Sequence, residues 1–464
     1  MAECAEEKRG AFTGRMGFVM AAAASAVGLG NLWRFPWLAS NYGGGIFVIV
    51  YIILAVTFGF SLMVAEIALG RKTGKSCVSA FGDLCKKYKW MGMVIALIPL
   101  LIVPYYCVIG GWVTKWFAEC AIGQLGGLTE TGFWWDYITG VEGGMGGPTI
   151  WFLVFAAMVM ACVIIGVNKG IEKLSKILLP ALLVMMVAIT IYALVAVDGT
   201  LDGVVYFLKP DPSKLSGGTF LGAISQIFYS MSLAMGIMIT YGSYMKKSDS
   251  IERSARNISL IDTAVAILAG LMIIPASFAI MGEAGVSSHG MGLMFVTLPQ
   301  VFDQMPGGSI VAPVFYLLVI FAALTSAVSL LETVVSVVAD EAKLKRRKSI
   351  VVSSFLLIVI GIIVVLGFGP LMTDLSPYDQ GAGVLGILDT TTNSILMPIA
   401  AILTCVFIGY VISVKTVSDE VKEDGCEFKF ERPFEYMIKY ICPICLAAIL
   451  VFGLLDMFGI FSVY

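Results

Sequence analysis

Histidine occurs once in this 464-residue chain, at position 289, and charged side chains make up only 13% of it. The first scarcity leaves no histidine–carboxylate pair and no imidazole cluster on which general acid–base or zinc chemistry would rest. The second excludes an ordinary soluble surface, which needs charge to cover it. Ten cysteines are scattered, with no pair spaced like a metal site. The Cys442/Cys445 C-x-x-C lies on an apolar stretch without a thioredoxin context and reads as packing. Only Cys120 falls where the chain is read as facing outward, so no disulfide framework is expected. There is no glycine-rich phosphate loop ending in lysine and no nucleophile–base set, so no enzyme activity is expected. A net charge of −2, with basic residues confined to short loops, offers no nucleic-acid surface. Residues 1–10 read as a polar cytosolic lead-in without a cleavable signal.

What the chain has is apolar length: 59% of its residues are hydrophobic. A helix needs about 20 apolar residues to cross the hydrocarbon core. On that scale there are eleven candidate segments, numbered one to eleven below, centred near residues 27, 56, 103, 157, 185, 232, 268, 324, 358, 400 and 447. Of the 30 lysines and arginines, all but Arg34, Lys115, Lys209 and Lys214 fall in the tail or in loops on one side. The long stretches 121–148 and 284–309 on the other side contain none. Basic residues stay inside, so the amino terminus is expected in the cytoplasm and the carboxyl terminus outside. Short apolar runs within 284–309 suggest a helical hairpin lying over the outer face.

Two segments are built to break. Segment one contains "SAVGLGNLWRFP" (25–36), where glycine, asparagine, arginine and proline all oppose an ordinary lipid-facing helix. Segment six, "QIFYSMSLAMGIMITYGSY" (226–244), carries serines and then Ala234-Met235-Gly236. Unwound backbone at membrane depth survives only against protein or a wet cavity, because lipid cannot satisfy its N–H and C=O groups. Breaks in segments one and six are the placement expected of two five-helix repeats in opposite orientation, with a site between them. Freed carbonyls can hold a cation, and freed N–H groups at a half-helix start can hold a carboxylate. A zwitterion with accompanying sodium would use both.

At this point the sequence resembles the neurotransmitter:sodium symporter family, specifically its bacterial amino-acid transporters. The resemblance rests on "AVGLGNLWRFP" (26–36), "YIILAVTFGFSLMVAEIALGR" (51–71), "PYYCVIGGW" (104–112), "ITYGSY" (239–244) and "FAALTSAVSLLE" (321–332), in family order. It implies an all-α polytopic membrane protein with the five-plus-five inverted repeat of the bacterial leucine transporter and segments one and six unwound at mid-membrane. The chain is then a single transporter domain over 1–464: repeat one about 10–200, repeat two about 215–415, and one extra span about 433–460. Two sodium sites are implied. The first uses Ala26, Asn31, Ser230, Asp262 and the substrate carboxylate; the second uses Ala24, Val27, Ala322, Thr325 and Ser326. These are hard oxygen ligands, suited to a small hard cation. Asp262 departs from the family, which has asparagine there and often chloride nearby. An ionisable group within a span is functional by default, so Asp262 is expected to supply a fixed negative charge and remove any chloride requirement.

The implied substrate pocket comprises Ala26, Gly28, Leu29, Gly30, Ile102, Tyr106, Tyr229, Ser230, Ser232, Met235, Ser326 and Leu330. Monoamine-carrying relatives place aspartate at the position of Gly28; glycine there favours a substrate that brings its own carboxylate. The apolar lining favours hydrophobic α-amino acids, and the flexible Met235 thioether leaves room for aromatic ones. The resemblance also implies an outer gate of Arg34 and Asp389, and an inner gate of Arg9 and Asp340 supported by Tyr244. Glu66 is expected to bond the unwound backbone of segment six; Glu332 has no assigned role. The expectation is a sodium-coupled symporter in a bacterial inner membrane, with an amino acid and the lipid bilayer as its partners. The alternative is a membrane sensor that binds the amino acid without moving it. Oligomeric state is left open.

Overall fold

In the computed structural model the chain is described over residues 11–130, 132–141, 143–286, 290–369, 371 and 383–457, and these form helices joined by short loops, with one isolated backbone bridge between Gly44 and Pro210. Among them nine helices are long and apolar enough to cross a membrane: Gly45–Thr73, Lys86–Ala121, Gly146–Ile165, Val167–Ala196, Ile251–Glu283, Gly308–Glu341, Arg346–Leu366, Gly383–Val411 and Glu431–Leu455. A tenth arises if Arg15–Ala26 and Gly30–Asn41, bent by 52°, count as one span. Segment six is not in that count, because Gly217–Ser230 and Ile237–Gly242 are separate helices. The sequence expectation of eleven spans therefore differs from the helices observed by this interrupted segment.

Both interruptions follow from local chemistry. The first helix stops at Ala26, Val27 is extended (φ −72°, ψ 97°), and the chain resumes with a wide turn over Gly30–Arg34. Asn31 ties the gap shut, its Oδ1 accepting from the Gly28 N–H at 3.1 Å. Pro36 falls at the start of Phe35–Asn41, where its missing N–H costs least. In segment six, Ser216 and Thr219 form a capping box at the outer start, and the helix runs out at Ser230. Ser232 (φ 54°), Ala234 (φ 62°) and Gly236 (φ 74°) then take left-handed conformations. For the two non-glycine residues that costs about 1–2 kcal/mol each, so the surroundings must hold them there.

Segment eight, Gly308–Glu341, is the central pillar with 83% of its apolar window buried, whereas Glu431–Leu455 lies at the edge with 17%. Segment two packs backbone to backbone on the inner half of segment six: a side chain at Gly70 would run into the Ile239 carbonyl, and one at Gly242 into that of Ile67. The short elements Gly290–Gly292, Leu293–Thr297 and Leu298–Gln304 follow one another without a break, so where a hairpin was expected the described residues 290–304 form a single helical arm. Its Phe295 sits 5.8 Å from Trp112 and 5.2 Å from Trp116, and stacks on Trp134 at 6.0 Å.

Gly70→Ala should therefore destabilise by about 1–3 kcal/mol through overpacking, although alanine favours helix. Gly217→Ala, with nothing within 4 Å of the new methyl, should be near neutral. Thermal unfolding of the two purified variants in detergent checks the contrast.

Candidate functional site

The two breaks face each other across one cavity. It is lined by Ser25, Ala26, Gly28, Leu29, Gly30, Ile102, Tyr106, Tyr229, Ser232, Met235, Ile237, Ser326 and Leu330. Every residue expected in the substrate pocket is there except Ser230, which turns away toward Asp262; Ser25 and Ile237 are additions. The cavity leaves about 30 Å³ for the centres of water molecules, room for only a water or two. This conformation is thus closed around the site. The Leu29 N–H donates to the Tyr106 hydroxyl at 3.2 Å, and the Gln226 amide donates to the Gly30 carbonyl at 3.0 Å. Glu66, on segment two, accepts from the Ala234 N–H at 2.7 Å and holds the left-handed turn of segment six.

Close packing makes the glycines necessary. A Cβ at Gly28 would lie 2.7 Å from the Ser326 hydroxyl and 3.0 Å from that of Tyr106, and one at Gly30 would enter the Tyr229 ring. At the cavity wall four serines interlock, three of them part of its lining. The Ser25 and Ser329 hydroxyls are 2.6 Å apart, Ser232 donates to the Ser25 carbonyl at 3.1 Å, and Ser326 donates to the same carbonyl at 2.9 Å.

The two expected cation sets lie on either side of the first break. Asn31 donates to Asp262 Oδ1 at 2.8 Å and lies 3.4 Å from Ser230 Oγ, which donates to Asp262 Oδ2 at 2.5 Å. Tyr51, which nothing in its apolar stretch marks out, donates to the same Oδ2 at 3.2 Å. Asp262 is fully buried, and among the described residues no basic side chain bonds it. For the second set, Ser326 Oγ is 3.5 Å from the Val27 carbonyl, and Thr325 Oγ1 is 3.1 Å from that of Ala322. Ala24 is buried on the helix just before the break. These are oxygen-only donors around unwound backbone, a chemistry fit for a sodium-sized cation.

Arg34 donates to Ser225 Oγ at 2.8 Å and its carbonyl at 3.3 Å, and lies 5.5 Å from the Tyr229 ring centre. It thus caps the aromatic lid, and Asp389 accepts from Asn393 at 2.6 Å. Of the expected inner-gate residues, Asp340 accepts from the Ser76 N–H at 2.7 Å; Arg9, like His289, lies outside the described residues. The Tyr244 hydroxyl donates to Glu332 Oε1 at 2.8 Å. Glu332, left without a role by the sequence, is fully buried and held bidentately by Arg346 at 2.7 and 2.8 Å. Tyr51, Ser25, Gln226, Ser225 and Arg346 were the residues missed. Tyr51 and Arg346 sit in an apolar stretch and a charge run that look ordinary until their partners on other segments are known; Ser25, Ser225 and Gln226 stand at the edges of the two breaking stretches, where only the partner reveals their part.

Tyr51→Phe removes one of three donors to a buried carboxylate and should destabilise by about 1–3 kcal/mol. Thermal unfolding of the variant in sodium-free buffer measures it.

Known proteins fit this geometry. The model of the sodium:neurotransmitter symporter family matches residues 9–142 and 129–460. An uncharacterized sodium-dependent transporter of Bacillus subtilis, YhdH, is 32% identical over 98% of this chain and 99% of its own. One from Methanocaldococcus jannaschii is 32% identical over 95% of this chain and 90% of its own. A sodium- and chloride-dependent creatine transporter of rabbit is 28% identical over 68% of this chain and 58% of its own. Among solved structures, that of MhsT in complex with L-phenylalanine superposes with a TM-score of 0.85 and 32% identity, covering 96% of this chain and all of that one. The chain is a multi-pass membrane protein that belongs to the sodium:neurotransmitter symporter family of sodium-dependent transporters.

Proposed function

We propose that this protein is a symporter that uses two sodium ions to import hydrophobic α-amino acids, aromatic ones included, by alternating access. The observation that carries the reading is the convergence of both broken helices on one closed cavity with oxygen-only cation sets beside it. In the reading, the first sodium is held by Ala26, Asn31, Ser230, Asp262 and the substrate carboxylate. The second is held by Ala24, Val27, Ala322, Thr325 and Ser326. The carboxylate meets the N–H groups of Leu29 and Gly30 and the Tyr106 hydroxyl; the ammonium meets carbonyls at the breaks and Ser232. Among the described residues no acidic or basic side chain lines the cavity, so a charged substrate side chain would find no partner among them. The match to a protein solved with L-phenylalanine supports the hydrophobic class.

Asp262 is central to the ion chemistry. Three uncharged donors orient it and none neutralises it, so its charge is available to offset a bound cation. We read it as a built-in replacement for chloride, unlike the chloride-dependent relatives. Around the site we propose eleven spans in two inverted five-span repeats plus one, in a bacterial inner membrane with the amino terminus inside. Arg34 and Asp389 close the outside; Arg9, Asp340 and Tyr244 close the inside. Two gates, each with two arrangements, give alternating exposure.

Uptake of labelled tyrosine, tryptophan and leucine into proteoliposomes should exceed equilibrium with a sodium gradient and vanish when potassium replaces sodium. Binding that requires sodium without uptake would instead identify a sensor. Replacing chloride with gluconate should leave uptake unchanged in the parent protein. Asp262→Ser should make it depend on chloride; a parent whose transport collapses in gluconate would refute the charge assignment.

A further inference from the structure

We propose that Arg71 is a positioning residue for the inner gate, acting through Glu420 and the loop that follows segment six to hold Tyr244 within reach of Glu332. The inference rests on the transport reading above and adds a control point that lies outside the substrate and cation sites.

Arg71 closes segment two, and its side chain is fully buried. Its Nε donates to Glu420 Oε1 at 2.8 Å and its Nη2 to the Glu420 carbonyl. Its Nη1 donates to the carbonyls of Lys247 at 3.3 Å and Asp249 at 2.6 Å. Lys247 in turn reaches both Glu420 carboxylate oxygens, at 2.8 and 3.0 Å, and Glu423 at 2.9 Å. One guanidinium thus ties together the end of segment two, the loop after segment six and the short helix Val414–Val421 between segments ten and eleven.

The acceptors say what the knot is for. Three of the four are backbone carbonyls, so the contact fixes where the loop lies rather than matching one side chain to another. A fork of planar donors does this; a lysine ammonium cannot. A buried guanidinium stripped of its carboxylate is strongly unfavourable, so the knot resists being pulled apart piece by piece.

Its placement links it to the gate. Segment two and the helix Ile237–Gly242 of segment six pack backbone to backbone, because Gly70 and Gly242 leave no gap between them, and the proposal takes the two as one body. Tyr244, which bonds Glu332, stands three residues before Lys247 in the same loop. In the proposal, opening the cavity inward separates Tyr244 from Glu332, and any shift of their loop strains the bonds from Arg71 to carbonyls 247 and 249 or carries the helix Val414–Val421 with it. That helix buries Val414, Val417 and Val421 and follows directly from segment ten. Glu420 is therefore the joint between the moving body and segment ten.

The test uses the full-length protein in proteoliposomes with Glu420→Gln and Arg71→Lys. If cation binding needs the inside-closed arrangement, apparent affinity falls in proportion to the fraction closed. Each variant should then raise the sodium concentration for half-maximal uptake roughly five- to tenfold, and hydrogen exchange should quicken around Tyr244, which neither change touches. Folded variants with unchanged sodium dependence and unchanged exchange would overturn the proposal and leave a simple staple. If both variants fail to fold, Lys247→Gln removes only the half-exposed arm and should shift sodium dependence in the same direction, about twofold; no shift would overturn it. A parent protein without sodium-stimulated uptake would refute the transport reading instead. The exchange comparison would then decide the gate role alone, quickened exchange supporting it and unchanged exchange overturning it.

Discussion

A peptide group freed in the middle of a membrane has no water to bond, and the arrangement of this protein depends on that constraint. Breaking a helix there is acceptable only if side chains from elsewhere take over the lost bonds. Here they come from Glu66 on segment two for the Ala234 N–H and Tyr106 on segment three for the Leu29 N–H, while Gln226 on segment six adds a second donor to the Gly30 carbonyl that the Phe35 N–H already reaches. Asn31 closes the first gap from within. The site exists because the scaffold around it finishes the hydrogen bonding of the two broken helices while leaving other backbone groups for a ligand.

The same logic governs charge. Asp262 and Glu332 are both buried acids, but they are treated differently. Glu332 receives a full guanidinium from Arg346 and becomes a neutral structural pair. Asp262 receives only neutral donors from Asn31, Ser230 and Tyr51. A buried pair is electrically spent, whereas an oriented but unpaired carboxylate still attracts a cation. The difference between lock and site is thus which partner each acid was given.

Much of this was legible in the sequence. The hydrophobic lengths gave every long apolar helix, and the oddity of 25–36 marked the first break. The pocket residues were reached through family motifs, and all but Ser230 line one cavity. What could not be read was pairing across segments. Tyr51 lies in "VIVYIIL", where it looks like one more apolar residue, and its importance is that it meets Asp262 from 211 positions away. Arg346 lies in "KLKRRK", indistinguishable from neighbours that serve only to orient the chain, yet it alone turns back to Glu332. Segment six read as one interrupted span because composition reports apolar length; the left-handed turns at Ser232 and Ala234 are conformations alanine and serine rarely announce. Arg34 also meets Ser225 at the start of segment six, a contact that its place in the motif does not reveal.

The packing of Phe295 has an optical consequence. Of the eight tryptophans in the chain, Trp33, Trp112, Trp116 and Trp134 surround that one ring, at centroid distances of 5.2 to 6.4 Å. At the opposite mouth stands Trp90, half-exposed at the start of segment three. Intrinsic fluorescence is therefore weighted toward Phe295, so lifting that ring away would alter the emission of four indoles together. The protein carries a spectroscopic probe of this one packing contact without any label attached.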